Sequence, residues 1–164
     1  METLKDEFQR RGVKVAALSC NDTKTHAAWV KDIVAINQCK GPGLWFPVLA
    51  DPRRELAQRL GMLDEVVTNC RAVFIIGPDR KLKLSMLYPA TTGRNLGEVL
   101  RVLDSLQLAA AHQVATPANW KGGDKVLVVP SLSTAEARGR FPKGVEVAKL
   151  PSDKEYMRFT PDPR

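Results

Sequence analysis

Apolar residues recur along the chain with two periods, and the changes of period mark its elements. Leu4 and Phe8 stand four apart ahead of Gly12, which predicts a short helix over Met1–Arg11 with a glycine stop. The next run, Val13–Ser19, is largely apolar, the pattern of a strand covered on both faces. Asn21 and Asp22 are cap residues for a helix from Thr23 to about Ile36, where Trp29, Ile33 and Ile36 recur at helical spacing. A Gly/Pro loop at Lys40–Gly43 leads to a short strand around Phe46–Leu49. Asp51 then caps a helix that contains Leu56 and Leu60 and ends at Gly61.

Arg71–Ile76 reads as the clearest buried strand, and Gly77–Arg80 as a turn whose proline presets φ. Leu82, Leu84, Met86 and Tyr88 alternate with polar residues, the signature of a half-buried hairpin partner. Between Leu96 and Leu108, five apolar residues (Leu96, Val99, Leu100, Leu103 and Leu106) share one helical face. Beyond Leu108 the texture becomes small and polar, so Ala109–Trp120 reads as a linker. A strand at Val126–Val129 follows, then a capping box of Ser133 with Glu136, and short strands near Val145–Ala148 and Tyr156–Thr160. The order predicts an α/β mixed sheet over residues 1–108 and a small α+β domain over 109–164. That second part holds few large apolar residues and is expected to pack on the first part or on a partner subunit.

Composition narrows the class. The chain has 164 residues, 44% apolar and 26% charged, the mix of a globular protein. No apolar run approaches the ~20 residues of a membrane helix, so no membrane span is expected. The opening residues are acidic and polar, unlike a secretory or transit peptide, and the default location is cytoplasmic. The net charge is +7, but basic residues are interleaved with acids, and nucleic-acid binding is not expected. Cys20, Cys39 and Cys70 form no CxxC and no even disulfide set. His26 and His112 have no cysteine at a zinc-ligand spacing. No metal or cofactor is expected.

An ordered series of segments carries more than these patterns do. ValLysValAlaAlaLeuSer, HisAlaAlaTrpValLysAspIle, PheProValLeuAlaAsp, LeuGlyMetLeuAsp and ArgAlaValPheIleIleGlyProAsp resemble the one-Cys peroxiredoxins. So do LysLeuLysLeuSerMetLeuTyrProAlaThrThrGlyArgAsn, over Lys81–Asn95, and AlaThrProAlaAsnTrpLysGlyGlyAsp, over Ala115–Asp124. PheProLysGlyVal and TyrMetArgPheThrPro match the carboxyl-terminal domain of that group, so the resemblance covers essentially the whole chain in order. It implies a thioredoxin-like fold, a homodimer, and reduction of hydroperoxides by one peroxidatic cysteine that a thiol reductant regenerates. That cysteine ordinarily lies in a Pro-x-x-x-Thr-x-x-Cys motif opening a helix, where the helix end and a nearby arginine lower its pKa.

The sequence departs from this pattern at the nucleophile. Seven and three residues before Cys20 stand Val13 and Ala17; before Cys39, Asp32 and Ile36; before Cys70, Leu63 and Val67. None is the motif. The match begins inside the helix that follows the peroxidatic cysteine, so the family's initial hairpin, a central strand and the motif loop are expected to be absent. The family's loop is also longer between Asp64 and Arg71.

By resemblance, Arg71 is the strand-borne arginine facing the peroxidatic thiolate; the alternative is a surface residue at a strand end. Arg94 matches a second arginine near the site, or serves as a helix-start residue making structural hydrogen bonds. Asp79 matches an aspartate proposed for a lipase activity in some members, but its turn role suffices, because its serine and histidine partners would lie in the absent segment. Cys70 stands beside the Arg71 cation, although adjacent strand residues face opposite sides. Cys20 reads as a buried or idle thiol, and Cys39 stands at a helix end that disfavours a thiolate. His26 caps or lines a helix, and His112 falls in the linker. Three readings result: part of an active thiol peroxidase, a noncatalytic subunit paired with a full-length homologue, or a basic binding module.

Overall fold

The computed structural model describes residues 4–39, 41, 43–63 and 71–164. Contacts divide it into two compact units, Met1–Leu96 and Gly97–Arg164. The division falls ahead of the Leu108 boundary read from the sequence and places most of the strongest helix with the second unit.

In the first unit, helix α1 (Lys5–Arg10) buries Phe8, whose ring lies 5.9 Å from that of Trp45. Strand β1 covers only Ala17–Ser19: upstream, Val13 and Val15 alternate with exposed neighbours, the Val13 amide donates to the Phe8 carbonyl at 2.9 Å, and among the described residues no strand pairs there. Helix α2 (Thr23–Ile36) starts where expected, its Asp22 carboxylate accepting from the Thr25 amide at 2.7 Å. Its apolar stripe is only partly covered: Ile33 is half-buried, but Trp29 is 47% and Ile36 77% exposed. Strand β2 (Val48–Ala50) runs parallel to β1, with Leu18 opposite Leu49.

The next helix, α3 (Glu55–Arg59), differs from its sequence reading. Its N-cap is Arg54, in the left-handed region at φ 59° and without a side-chain cap. Asp51 stands outside the helix, yet its buried carboxylate still accepts from the Ala57 amide at 2.8 Å. The acid therefore satisfies a first-turn N–H from beyond the cap position, because a turn from Asp51 to Arg54 comes between them.

Strands β3 (Arg71–Ile76) and β4 (Leu82–Tyr88) form an antiparallel hairpin. The expected turn is present: Arg80 donates to Gly77 with φ 59°, and Gly77 donates back to the Lys81 carbonyl. A Cβ on Gly77 would lie 2.5 Å from Lys83 Cε, so a larger residue there would have to displace the Lys83 side chain. β3 is not the fully buried strand its composition predicts; Ile76 is 65% exposed. The reason is topological. Among the described residues β1–β2 and β3–β4 are separate two-stranded sheets, so β1 and β3 each have one paired edge.

The second unit carries the well-packed core. Helix α4 (Leu96–His112) continues four residues past its predicted end, since Ala109, Ala110 and Ala111 are strong helix formers. The expected linker is thus helix, then strand β5 (Val114–Ala115), then a turn closing on Trp120, which is 1% exposed. Strands β6 (Val126–Val128), β7 (Glu146–Val147) and β8 (Arg158–Thr160) complete an antiparallel sheet in the order β5-β6-β8-β7. Helix α5 (Thr134–Arg140) opens with the predicted Ser133–Glu136 capping box. Leu108, Val114, Trp120, Val126, Val128, Ala137 and Phe141 form one buried cluster. The end of α4 contributes Leu108 to this cluster.

Candidate active site

Both arginines singled out in the sequence lie at one end of the β3–β4 hairpin. Arg71 is the first residue of β3, opposite Tyr88. After Tyr88 the chain turns, Thr92 donating to the Pro89 carbonyl, and this brings the Ala90 carbonyl back towards the strand. Arg71 Nε donates to that carbonyl at 2.7 Å. The same turn delivers Arg94, whose Nε donates to the carbonyl of Ala72 at 3.4 Å. Each guanidinium is therefore held through Nε to main chain of the opposite arm, Arg71 to the turn and Arg94 to the strand. Both side chains are exposed.

This arrangement holds two permanent cations at one strand end, a setting that favours an anionic group. For Arg94 the hydrogen bond to the Ala72 carbonyl ties the turn to β3, a structural contact. The sequence reading missed the carbonyls of Ala72 and Ala90, which fix the guanidiniums. Main-chain acceptors leave no residue-type signature, although the ProAlaThrThrGly stretch does signal the turn that supplies one of them.

The remaining candidates lie in other settings. Asp79 accepts from Lys83 Nζ at 2.7 Å and from the Lys81 amide at 3.2 Å. The Lys83 hydrogen bond holds its carboxyl below the usual range. It is an exposed hairpin-turn acid engaged with its own turn. Cys20 and Cys39 are free thiols of intermediate exposure. Cys70 lies outside the described residues, as do residues 64–69 and the first three residues. His112 is the last residue of α4, not part of a linker.

His26, in the first turns of α2, is 8% exposed, and neither ring nitrogen has a hydrogen-bond partner among the described residues. It borders an open cavity of about 360 Å³ with Val30, Leu44, Phe46 and Val48, which neither Arg71 nor Arg94 lines. Among the described residues no cluster of three or more His, Cys, Asp or Glu could hold a metal ion, and no helix is long and apolar enough to cross a membrane.

Residues 1–85 match the AhpC/TSA family, and residues 105–144 match the C-terminal domain of 1-Cys peroxiredoxin. Peroxiredoxin-6 of Gallus gallus is 54% identical over 168 residues, spanning 98% of this chain and 75% of that protein. The chain belongs to the one-Cys peroxiredoxins. A crystal structure of a cysteine-to-serine mutant of Peroxiredoxin 6 from Arenicola marina superimposes with a TM-score of 0.94 at 51% identity, covering 99% of this chain and 76% of that one. A yeast mitochondrial 1-Cys peroxiredoxin gives 0.86 at 37% identity over 98% of this chain. The α/β, thioredoxin-like fold implied by the sequence is therefore the fold of this peroxiredoxin. The chain spans about three quarters of the length of its Peroxiredoxin-6 relatives.

Proposed function

We infer that this peroxiredoxin chain holds the arginine side of a peroxide-reducing site and, as these 164 residues, lacks the nucleophile. The family chemistry is thiol-dependent reduction of hydrogen peroxide and organic hydroperoxides, in an antioxidant, cytoplasmic setting. A thiolate attacks one peroxide oxygen, the O–O bond breaks, and water or an alcohol leaves. The resulting sulfenic acid is then reduced by a thiol. The observation that supports the reading is the pair Arg71 and Arg94, both fastened to main-chain carbonyls at one strand end while no cysteine stands in the family motif. Arg71 would stabilise the thiolate and the charge developing on the departing oxygen, with Arg94 beside it.

The purified chain should consume peroxide at about the rate of a free cysteine. Stopped-flow measurement of wild type and Cys70→Ser tests this. A rate orders of magnitude faster, abolished by Cys70→Ser, would make Cys70 the nucleophile and overturn the assignment.

A second reading is a noncatalytic subunit that pairs with a full-length homologue, in place of a homodimer. It is favoured by the exposed apolar residues of the first unit, Ile36, Ile76, Leu82 and Leu87. Co-expression with a tagged full-length homologue would recover this chain on the tag; recovery of homodimer alone would remove it. A basic binding module would instead show binding to nucleic acid that weakens steeply with salt.

A further inference from the structure

A second, smaller cavity lies within the Gly97–Arg164 unit, and its chemistry differs from that of the site above. It measures about 140 Å³ and is bordered by His112, Arg140, Phe141, Lys143, Thr160 and Pro163, with Pro142 beside them. At about 30 Å³ of liquid per water molecule, it has room for one small ion with some of its hydration. Three of its residues are basic, and none is an acid.

The polar groups there are notable for what they leave unused. The side chain of Arg140, the last residue of α5, makes no hydrogen bond or ion pair among the described residues, and neither does that of His112. Lys143 Nζ donates to the carbonyls of Asp162 and Arg164, both at 2.7 Å, which uses two of its three N–H bonds. Thr160 is 1% exposed, and its hydroxyl has no partner among the described residues. A buried hydroxyl without a partner disfavours the folded state, and a ligand acceptor would relieve that cost. Asp162, the nearest acid along the chain, is already committed to Arg164 and to the Gly123 amide.

We propose that this cavity is a binding site for a small tetrahedral oxyanion of the phosphate type. The guanidinium supplies the planar fork that suits two oxygens of such an ion, the ammonium a point charge, and Thr160 a neutral donor. Carboxylates satisfy the fork equally well, but a flat ion offers fewer oxygens to donors arranged around a cavity. The competing explanation is that His112 and Arg140 merely complement the C-terminal ends of α4 and α5. That explanation accounts for two cations and leaves the Thr160 hydroxyl unsatisfied.

The test is calorimetric titration of the whole chain with inorganic phosphate, in low-salt buffer free of other oxyanions, alongside amide chemical-shift mapping. Saturable binding in the ~millimolar range, with shifts centred on residues 112, 140–143 and 160, is expected. Arg140→Gln should weaken it about tenfold or more. Thr160→Val, which keeps side-chain shape and removes only an unpartnered hydroxyl, should weaken it severalfold with folding intact. Arg71→Gln should leave it unchanged. Absence of saturable binding would overturn the proposal. So would binding that maps to Arg71 and Arg94, or binding indifferent to both Arg140→Gln and Thr160→Val. If Arg140→Gln lowers the melting temperature equally with and without phosphate, the cation serves the helix end only and no site exists.

Discussion

Asp162 shows how a single side chain ties a terminal strand to a core. Its carboxylate accepts from the Gly123 amide at 3.1 Å and from Arg164 through both the main-chain amide and the guanidinium. The Arg164 guanidinium in turn lies over the Trp120 ring, 5.8 Å from its centre. These hydrogen bonds, led by that of Arg164, lower the Asp162 pKa from 3.8 to about 2. A depressed acid pKa contributes stability above the unfolded value, and the contribution disappears as pH falls from about 4 through 2. Discounting for the half-exposed arginine, it amounts to about 1–2 kcal/mol at neutral pH. Asp162→Asn should therefore lower urea stability by that amount at pH 7 and by much less near pH 2. An equal loss at both pH values would show that the effect is geometric and not electrostatic.

At the scale of elements, local chemistry decided most starts and few ends. The Ser133–Glu136 box was legible because both partners are side chains at fixed spacing, and the structure closes it in both directions. Ser133→Ala should destabilise the protein by about 1 kcal/mol, read as a shift in denaturation midpoint without change in slope. A cost near zero would mean that α5 is held by Ala137 and Phe141 packing alone. Asp51 shows the opposite case: a cap-type residue in the right neighbourhood whose carboxylate reaches the Ala57 amide across an intervening turn, which spacing cannot reveal. The end of α4 was misread because small residues after Leu108 look like linker by polarity and like helix by propensity, and here propensity won. The two arginines were legible only through resemblance. Composition could not show that the Ala72 and Ala90 carbonyls hold them, since every residue has a carbonyl. Burial of β3 was overestimated because an apolar strand states what it could cover, not what lies beside it.

For the whole molecule, the distribution of buried side chains between the units sets an order of stability. In the first unit the buried apolar residues among those described are Phe8 and Ala57, while Trp29, Leu49, Leu56, Leu60, Ile76, Leu82 and Leu87 are all at least 45% exposed. Its four strands form two separate pairs, and two-stranded sheets are marginal in water. The second unit places seven buried residues, Trp120 and Phe141 among them, in one cluster under a four-stranded sheet. At 68 residues, from Gly97 to Arg164, it exceeds the size at which many domains fold alone. Hydrogen exchange on the full chain should therefore find the slowest amides in α4, β6 and β8, and the fastest strand amides in β1 and β3. The segment from Gly97 to Arg164, expressed alone, should unfold cooperatively and keep most of that protection. If the isolated segment exchanges like an unstructured chain, its core depends on the first unit or on a partner subunit. The packing role read from its sequence would then replace the autonomous one.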